Sequence, residues 1–279
     1  MARIVGAIAT SHVPAIGGAI AKKLQNEPYW QPFFDGFVPV RQWLAEVEPD
    51  VVVLLYNDHG LNFFLDKMPT FAVGAAAEYR NADEGWGIPQ VPPFKGDLDL
   101  SWHLIESLVQ QDFDLTTCQE MQVDHAFTLP MALLWPDQHW PVRTVPVCIN
   151  TVQFPLPSAA RCYKLGQAIG RAIEDWNSDA KVLVLGTGGL SHQLDGERAG
   201  HINKEFDLQF MASLVGDDPQ WATRLSINEL VRQAGTQGIE LLMWLAARAT
   251  LSGKVSELHR NYHIPISNTA AGLMLLENR

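Results

Sequence analysis

Five stretches of the chain carry β-branched and aliphatic residues with no polar alternation: Ile4–Ala9, Val51–Tyr56, Thr70–Gly74, Thr144–Asn150 and Lys181–Gly186. Unbroken apolar runs of about four to eight residues are the pattern of strands covered on both faces, because neither face meets water. Between them the apolar positions fall to helical spacing. Arg41–Val47, Leu98–Val109 and Ala160–Trp176 read as helices, the last with Leu165, Ile169 and Ile173 four apart. Asn203–Val215, Ile227–Ala234 and Ile239–Leu251 follow in the same way. Strands alternating with helices predict an α/β fold. We expect a single domain over residues 1–279, with a mostly parallel or mixed central sheet flanked by helices and the active site at the carboxyl ends of the strands. The last third is expected to be mostly helical, with an irregular tail around His263–Thr269. The Pro-rich pieces around Pro89–Pro93 and Pro155–Pro157 are short and read as loops.

Composition narrows the class. With 47% hydrophobic and 18% charged residues over 279 positions, the chain is far too apolar to remain disordered. Twenty Lys and Arg against 31 Asp and Glu leave a formal net charge of −11, which repels phosphate backbones and argues against general nucleic-acid binding. No apolar run approaches the ~20 residues of a membrane span. Ile4–Ala9 is too short for the core of a secretion signal. Cys118, Cys148 and Cys162 cannot all pair with one another and none shows CxxC spacing, so a reducing, cytoplasmic setting is expected.

The histidines refine the picture. Ile4–Ala9 runs into Thr10-Ser11-His12, Val51–Tyr56 into Asn57-Asp58-His59, and Lys181–Leu185 into a glycine-rich turn ending in Ser191-His192. Parallel strands end on one edge of their sheet, where ligands bind, so these histidines are expected to converge although they are far apart in sequence. The strand Thr144–Ile149 ends at Asn150 on the same expected edge, and His125 follows Asp124 just before a helical segment. Clustered neutral imidazoles suit a transition metal, acid/base chemistry, or both. Two histidines and one carboxylate form the facial triad of non-haem Fe(II) enzymes. Spacing does not single out the carboxylate: Glu240 opens an apolar helix, where the helix dipole alone favours an acid. Asp58 reads as a structural acid in the turn that aims His59, and Asp124 as a hydrogen-bond partner for His125. Gly186–Gly189 lacks the pattern of a phosphate-binding loop. His103, His139, His201, His259 and His263 read as surface or core residues.

Several segments together resemble the class III extradiol ring-cleavage dioxygenases. They are Thr10-Ser11-His12, Tyr56–His59, Ala82-Asp83-Glu84-Gly85-Trp86-Gly87, Val123-Asp124-His125, Gly186–Gln193, Ile202–Asp207, Gly238-Ile239-Glu240 and Tyr262–Thr269. Within the family they are most similar to the catalytic β subunits of the protocatechuate 4,5-dioxygenase branch. The resemblance implies that His12, His59 and Glu240 ligate Fe(II), that His192 is the active-site acid/base, and that His125 stands beside the dioxygen and substrate site. It further implies that Ser267 and Asn268 hold a ring carboxylate. The expected reaction is extradiol cleavage of a carboxylated catechol in aromatic catabolism: protocatechuate, opened to 4-carboxy-2-hydroxymuconate semialdehyde, with gallate or 3-O-methylgallate as alternatives. Ala126 and Phe127 after His125, and Gly60 after His59, depart from the protocatechuate pattern, whereas Phe63-Phe64 is closer to gallate-cleaving relatives. Family members often pair with a small α subunit that covers the active-site mouth; this chain reaches Arg279 without such a lid, so a hetero-oligomer of α2β2 type is expected. The competing readings are a zinc metallohydrolase using the same His, His and Glu, and a non-catalytic scaffold of the same fold.

Overall fold

The apolar runs become strands, with ends close to those expected. A computed structural model describes residues 1–85 and 87–279. Its first half runs β1 (Arg3–Thr10), α1 (Pro14–Ala21), α2 (Gln31–Asp35), α3 (Val38–Val47), β2 (Val51–Tyr56), β3 (Phe71–Gly74), β4 (Glu78–Asn81), β5 (Phe94–Lys95), α4 (Leu98–Gln110), β6 (Thr116–Cys118), β7 (Gln122–Val123) and α5 (His125–Leu134). The second half runs β8 (Arg143–Ile149), α6 (Ala159–Asp175), β9 (Lys181–Thr187), α7 (Lys204–Val215), α8 (Ile227–Ala234), α9 (Leu241–Ala249), β10 (Val255–Ile266) and β11 (Thr269–Asn278).

Eight strands form one mixed sheet in the order β10-β11-β1-β9-β2-β8-β3-β6, and β5, β4 and β7 form a small one beside it. At the centre β1, β9, β2 and β8 run parallel. Strand β3 is antiparallel to β8, and β11 is antiparallel to β1. Every residue of β2 is buried. Val51, Val53 and Leu55 face one core while Val52, Leu54 and Tyr56 face the other, which is why no polar alternation appears in the sequence. Leu104 of α4, Ile169 of α6 and Trp244 of α9 pack in the first core. Ile16 of α1, Val40 of α3 and Phe127 of α5 pack in the second. The starts of α4 to α8 follow side-chain caps: Asp97, Asp124, Ser158 and Asn203 each accept a backbone N–H, and Ser226 and Glu229 form a reciprocal capping box. Among the described residues no helix is long and apolar enough to cross a membrane.

The end of the chain differs from the expectation of a helical third with an irregular tail. It closes in a long hairpin, in which Ile266 pairs with Thr269 across Ser267-Asn268. Strand β10 lies at the sheet edge, so polar residues remain along it. Strand β11 is rich in Ala, Leu and Met and poor in β-branched residues; its pairing between β1 and β10 overrides that composition. The helix expected over Ile239–Leu251 is divided into a 3-10 turn, Gly238–Glu240, and the buried helix α9.

Helix α9 rests on β9 at Gly186, where a Cβ would stand 2.5 Å from the Met243 carbonyl oxygen. This backbone-on-backbone contact sets the depth of the helix and so the position of Glu240 at its start. Gly186→Ala is therefore expected to destabilise the fold by about 1–3 kcal/mol through overpacking, measured as a lower urea midpoint with an unchanged slope. A midpoint equal to that of the parent would show that the contact can open without loss.

Candidate active site

Three parallel strands deliver their histidines to one edge. His12 lies two residues beyond β1, His59 three beyond β2, and His192 at the end of the loop after β9. The turn carrying His59 is built by Asp58, whose carboxylate accepts the backbone N–H groups of Gly60, Leu61, Asn62 and Phe63 at 3.0–3.2 Å. Its structural reading from the sequence holds. Glu240 arrives from the opposite direction, at the entry to α9, and is buried.

Hydrogen bonds define which ring nitrogens carry protons. The Thr187 hydroxyl donates to the Ala126 carbonyl at 2.8 Å, so its oxygen accepts Nδ1–H of His12 at 3.1 Å. The Nε2 lone pair of His12 is then left buried without a hydrogen-bond partner, 3.4 Å from Oε2 of Glu240. His59 donates Nδ1–H to Oδ2 of Asp124 at 2.9 Å and turns Nε2 toward Oε1 of Glu240 at 3.6 Å. Glu240 is held by the Gly189 N–H at 2.9 Å and the Asn57 side-chain amide at 3.2 Å. Gly188 permits this approach, since at φ +122° its Cβ would meet the Glu240 Cβ at 2.5 Å.

Nε2 of His12, which has no hydrogen-bond partner, and Nε2 of His59, which also meets the Asn57 side-chain amide at 3.1 Å, face one carboxylate, an arrangement that is favourable only with a proton or a metal cation between them. The donor set His12, His59 and Glu240 therefore fits a divalent transition metal. Burial opposes charge on each partner, yet their mutual attraction prevails. Glu240 is held well below the usual carboxylate range by His12, His59 and His192. His59, penalised by burial, is nonetheless raised to about 10 by Asp124 and Glu240. Proton and metal compete for the same Nε2.

His192 donates Nδ1–H to the Leu190 carbonyl at 2.9 Å, which leaves Nε2 as an acceptor 3.9 Å from Oε2 of Glu240. His125 is the first residue of α5, and Glu84 accepts both its Nδ1–H at 2.6 Å and its backbone N–H at 2.7 Å. The His125 ring lies over His59 with centroids 4.2 Å apart. Burial lowers its pKa against the pull of Glu84, which keeps the ring neutral. Ligand nitrogens of His12, His59 and His125 also lie within 4.8 Å of one another, a second donor set that shares two members with the first. Asp124 pairs with His59 rather than with His125, contrary to the sequence reading; as N-cap of α5 it already accepts Ala126 N–H, which aims its second oxygen across the sheet edge. Glu84, Asn57 and Thr187 had no assigned role in the sequence. All three lie in segments that carry the family resemblance, Asn57 in Tyr56–His59, Thr187 in Gly186–Gln193 and Glu84 in Ala82–Gly87, of which Trp86 lies outside the described residues. His103, His201 and His259 contact the carbonyls of Ala172, Gln233 and Gly36, as structural histidines do. All three cysteines are buried and unpaired.

A cavity of about 430 Å³ opens onto the cluster, and His12, His59, His192, Glu240, Ser267 and Thr269 all line it. Its described lining includes no lysine or arginine. Val152, Phe154 and Leu194 at its rim are each more than half exposed. Asn268, beside Ser267 in the hairpin turn, is exposed and lies outside the lining. His125 sits behind His59 rather than on the cavity wall.

The raised His59 pKa has a defined stability signature in metal-free protein. Its stabilising contribution is complete below the ordinary 6.5 and is lost as pH rises toward about 10. With chelator present, the wild-type urea midpoint is expected to fall across that window more steeply than that of Asp124→Asn. Parallel midpoint curves for the two proteins would contradict the pairing.

The profile of one protein family, described as the catalytic LigB subunit of aromatic ring-opening dioxygenase, matches residues 6–273. A gallate dioxygenase of Pseudomonas putida is 44% identical over 199 residues, covering 71% of this chain and 58% of that enzyme, so the match spans little more than half of the relative's length. A 2,3-dihydroxyphenylpropionate/2,3-dihydroxicinnamic acid 1,2-dioxygenase of Photorhabdus laumondii is 29% identical over 315 residues, covering 96% of this chain and 95% of that enzyme. Among solved structures, the uncharacterized protein JW3007 of Escherichia coli K12 superposes with a TM-score of 0.59 at 14% identity, covering 97% of this chain and 99% of that one, a likeness of fold alone. With a match that runs nearly end to end and includes the carboxyl ends of the strands that deliver histidines to the cluster, the chain belongs to the LigB family of catalytic subunits of aromatic ring-opening dioxygenases.

Proposed function

We propose that this protein is an Fe(II)-dependent extradiol dioxygenase that opens the ring of gallate, with protocatechuate and 3-O-methylgallate as secondary candidates. The observation that carries this reading is the buried, unpartnered Nε2 of His12, directed with Nε2 of His59 at the Glu240 carboxylate. His12, His59 and Glu240 are the ligands on this reading. They would hold a ferrous ion, which would supply the electron transfer between a catechol ring and dioxygen that neither undergoes readily alone. The 44% identity to a gallate dioxygenase moves the preferred substrate from protocatechuate to gallate, in keeping with Phe63-Phe64.

His192 is the acid/base. Its neutral tautomer keeps Nε2 free to take a proton from a ring hydroxyl as the substrate enters and to return it as the ring opens. His125, kept neutral by burial and oriented by Glu84, stands behind His59 and bounds the dioxygen side. Ser267 offers a neutral donor to the ring carboxylate from the cavity wall, and Asn268 serves from the outer side of the same turn. No cationic side chain among the described lining residues neutralises that carboxylate, and the exposed apolar rim of Val152, Phe154 and Leu194 suits a covering subunit. A small α subunit in a hetero-oligomer is therefore part of the proposal. Both oxygen atoms of O2 end in the ring-opened product.

A zinc hydrolase is the second reading, favoured by the His12, His59 and His125 grouping, since three histidines are a common catalytic zinc set. Anaerobically purified, iron-loaded protein is expected to consume oxygen with gallate faster than with protocatechuate or 3-O-methylgallate. Stoichiometric zinc with no oxygen uptake, a covering subunit present, would overturn the dioxygenase reading. His12→Ala and Glu240→Ala are expected to lose iron. His192→Ala is expected to keep iron and lose about 10²–10⁴-fold in turnover; an iron-free His192→Ala would reassign that residue. Ser267→Ala should raise KM for gallate more than for pyrogallol, which lacks the carboxylate, and equal effects would place the carboxylate elsewhere.

A further inference from the structure

The residue before His192 is gripped by a carboxylate that the ligand and acid/base assignments leave unused. Asp207, on the first turn of α7, is fully buried. Its Oδ1 accepts the Ser191 N–H at 3.0 Å, and its Oδ2 accepts the Ser191 hydroxyl at 2.6 Å. The same Oδ2 accepts the hydroxyl of Tyr262, from β10, at 2.8 Å. The Ser191 oxygen in turn accepts the N–H of Asn203, the cap of α7, at 2.8 Å. Burial lifts Asp207 to about 6 even though these donors pull it down. Removing a carboxylate from water is unfavourable, and its partners here are hydroxyls and an amide that place particular chain segments.

Those segments are the ones that meet at the cavity. On either side of Ser191, the Leu190 N–H donates to the Ala270 carbonyl at 2.8 Å and the Ala270 N–H to the Ser191 carbonyl at 3.1 Å. His192 forms a bridge with Thr269, the first residue of β11. Tyr262 stands on the other strand of the same hairpin, upstream of Ser267. One carboxylate thus connects α7, the histidine loop and the hairpin whose turn faces the substrate.

We infer that Asp207 is a positioning residue: it locks Ser191 to the hairpin through Tyr262, so that the His192 imidazole and the Ser267–Thr269 turn keep one spacing across the cavity. This rests on reading His192 as the acid/base. Displacement of a reacting group by about 1 Å can lower a rate by about 10²-fold without loss of binding.

The test compares Asp207→Asn and the milder Tyr262→Phe with the wild type in two measurements. Steady-state oxygen uptake with gallate, normalised to bound iron, is expected to show kcat reduced about 10- to 100-fold for Asp207→Asn, with KM and iron content near wild type, the split expected when orientation rather than binding is lost. Tyr262→Phe should move kcat in the same direction by a smaller factor. Hydrogen exchange in the metal-free proteins should accelerate in peptides covering residues 188–193 and 262–270 and stay unchanged in β1 and β2. A kcat per iron equal to wild type, or exchange accelerated evenly across the sheet, would overturn the inference, because a general stabilising role predicts those results. Should the wild type open no catechol ring, the proposed function fails, and the exchange comparison alone decides the clamp. If Asp207→Asn does not fold, Tyr262→Phe carries both measurements.

Discussion

The site depends on one buried carboxylate facing two imidazole lone pairs. Glu240 lies 3.4 Å from Nε2 of His12 and 3.6 Å from Nε2 of His59, in a region with little access to water. Negative charge and lone pairs directed at a common point are unstable by themselves. They are held together because every other nitrogen and oxygen of the three residues is already engaged: Nδ1 of His12 by Thr187, Nδ1 of His59 by Asp124, and the Glu240 oxygens by Gly189 and Asn57. The outer partners fix which nitrogen of each histidine faces Glu240: Nε2 of His12 has no other partner, and Nε2 of His59 also meets the Asn57 side-chain amide at 3.1 Å.

Holding that arrangement requires two kinds of rigidity. The central sheet supplies the first, since four parallel strands buried on both faces fix the starting points of the turns that carry His12, His59 and the His192 loop. Close backbone packing supplies the second. Gly186 lets α9 settle directly on β9, and Gly188 lets the loop fold against Glu240. The carboxylate therefore meets the histidines as part of a packed core and not as a mobile surface side chain.

The cavity above the cluster combines polar walls with an apolar rim. Its described lining has hydroxyl and amide groups and no cationic side chain, while Val152, Phe154 and Leu194 stay exposed around the mouth. Water must be kept from such a site for its electrostatics to act at full strength, and an apolar rim is the surface on which a cover can seat.

Much of this was legible in the chain itself. Val51–Tyr56 reads as a doubly buried strand because both of its faces meet apolar cores, and the three strand-end histidines follow from the rule that parallel strands share an edge. Asp58 announced its role because its partners lie within the next five residues. The unread parts all depend on contacts between distant segments. By spacing Glu240 looked like any acid at a helix start, and only the family resemblance marked it as a candidate ligand; its approach to His12 depends on packing at Gly186, while Asp124 crosses 65 positions to reach His59 and Glu84 crosses 41 to reach His125. Strand β11 has the composition of a helix and is a strand only because β1 and β10 lie on either side. Sequence by itself determined the elements whose burial pattern is local, together with the family and its candidate ligands. Tertiary structure alone decided tautomers, charge pairs and the closing hairpin, because hydrogen-bond direction and electrostatic coupling depend on separations of a few ångströms that linear spacing does not encode.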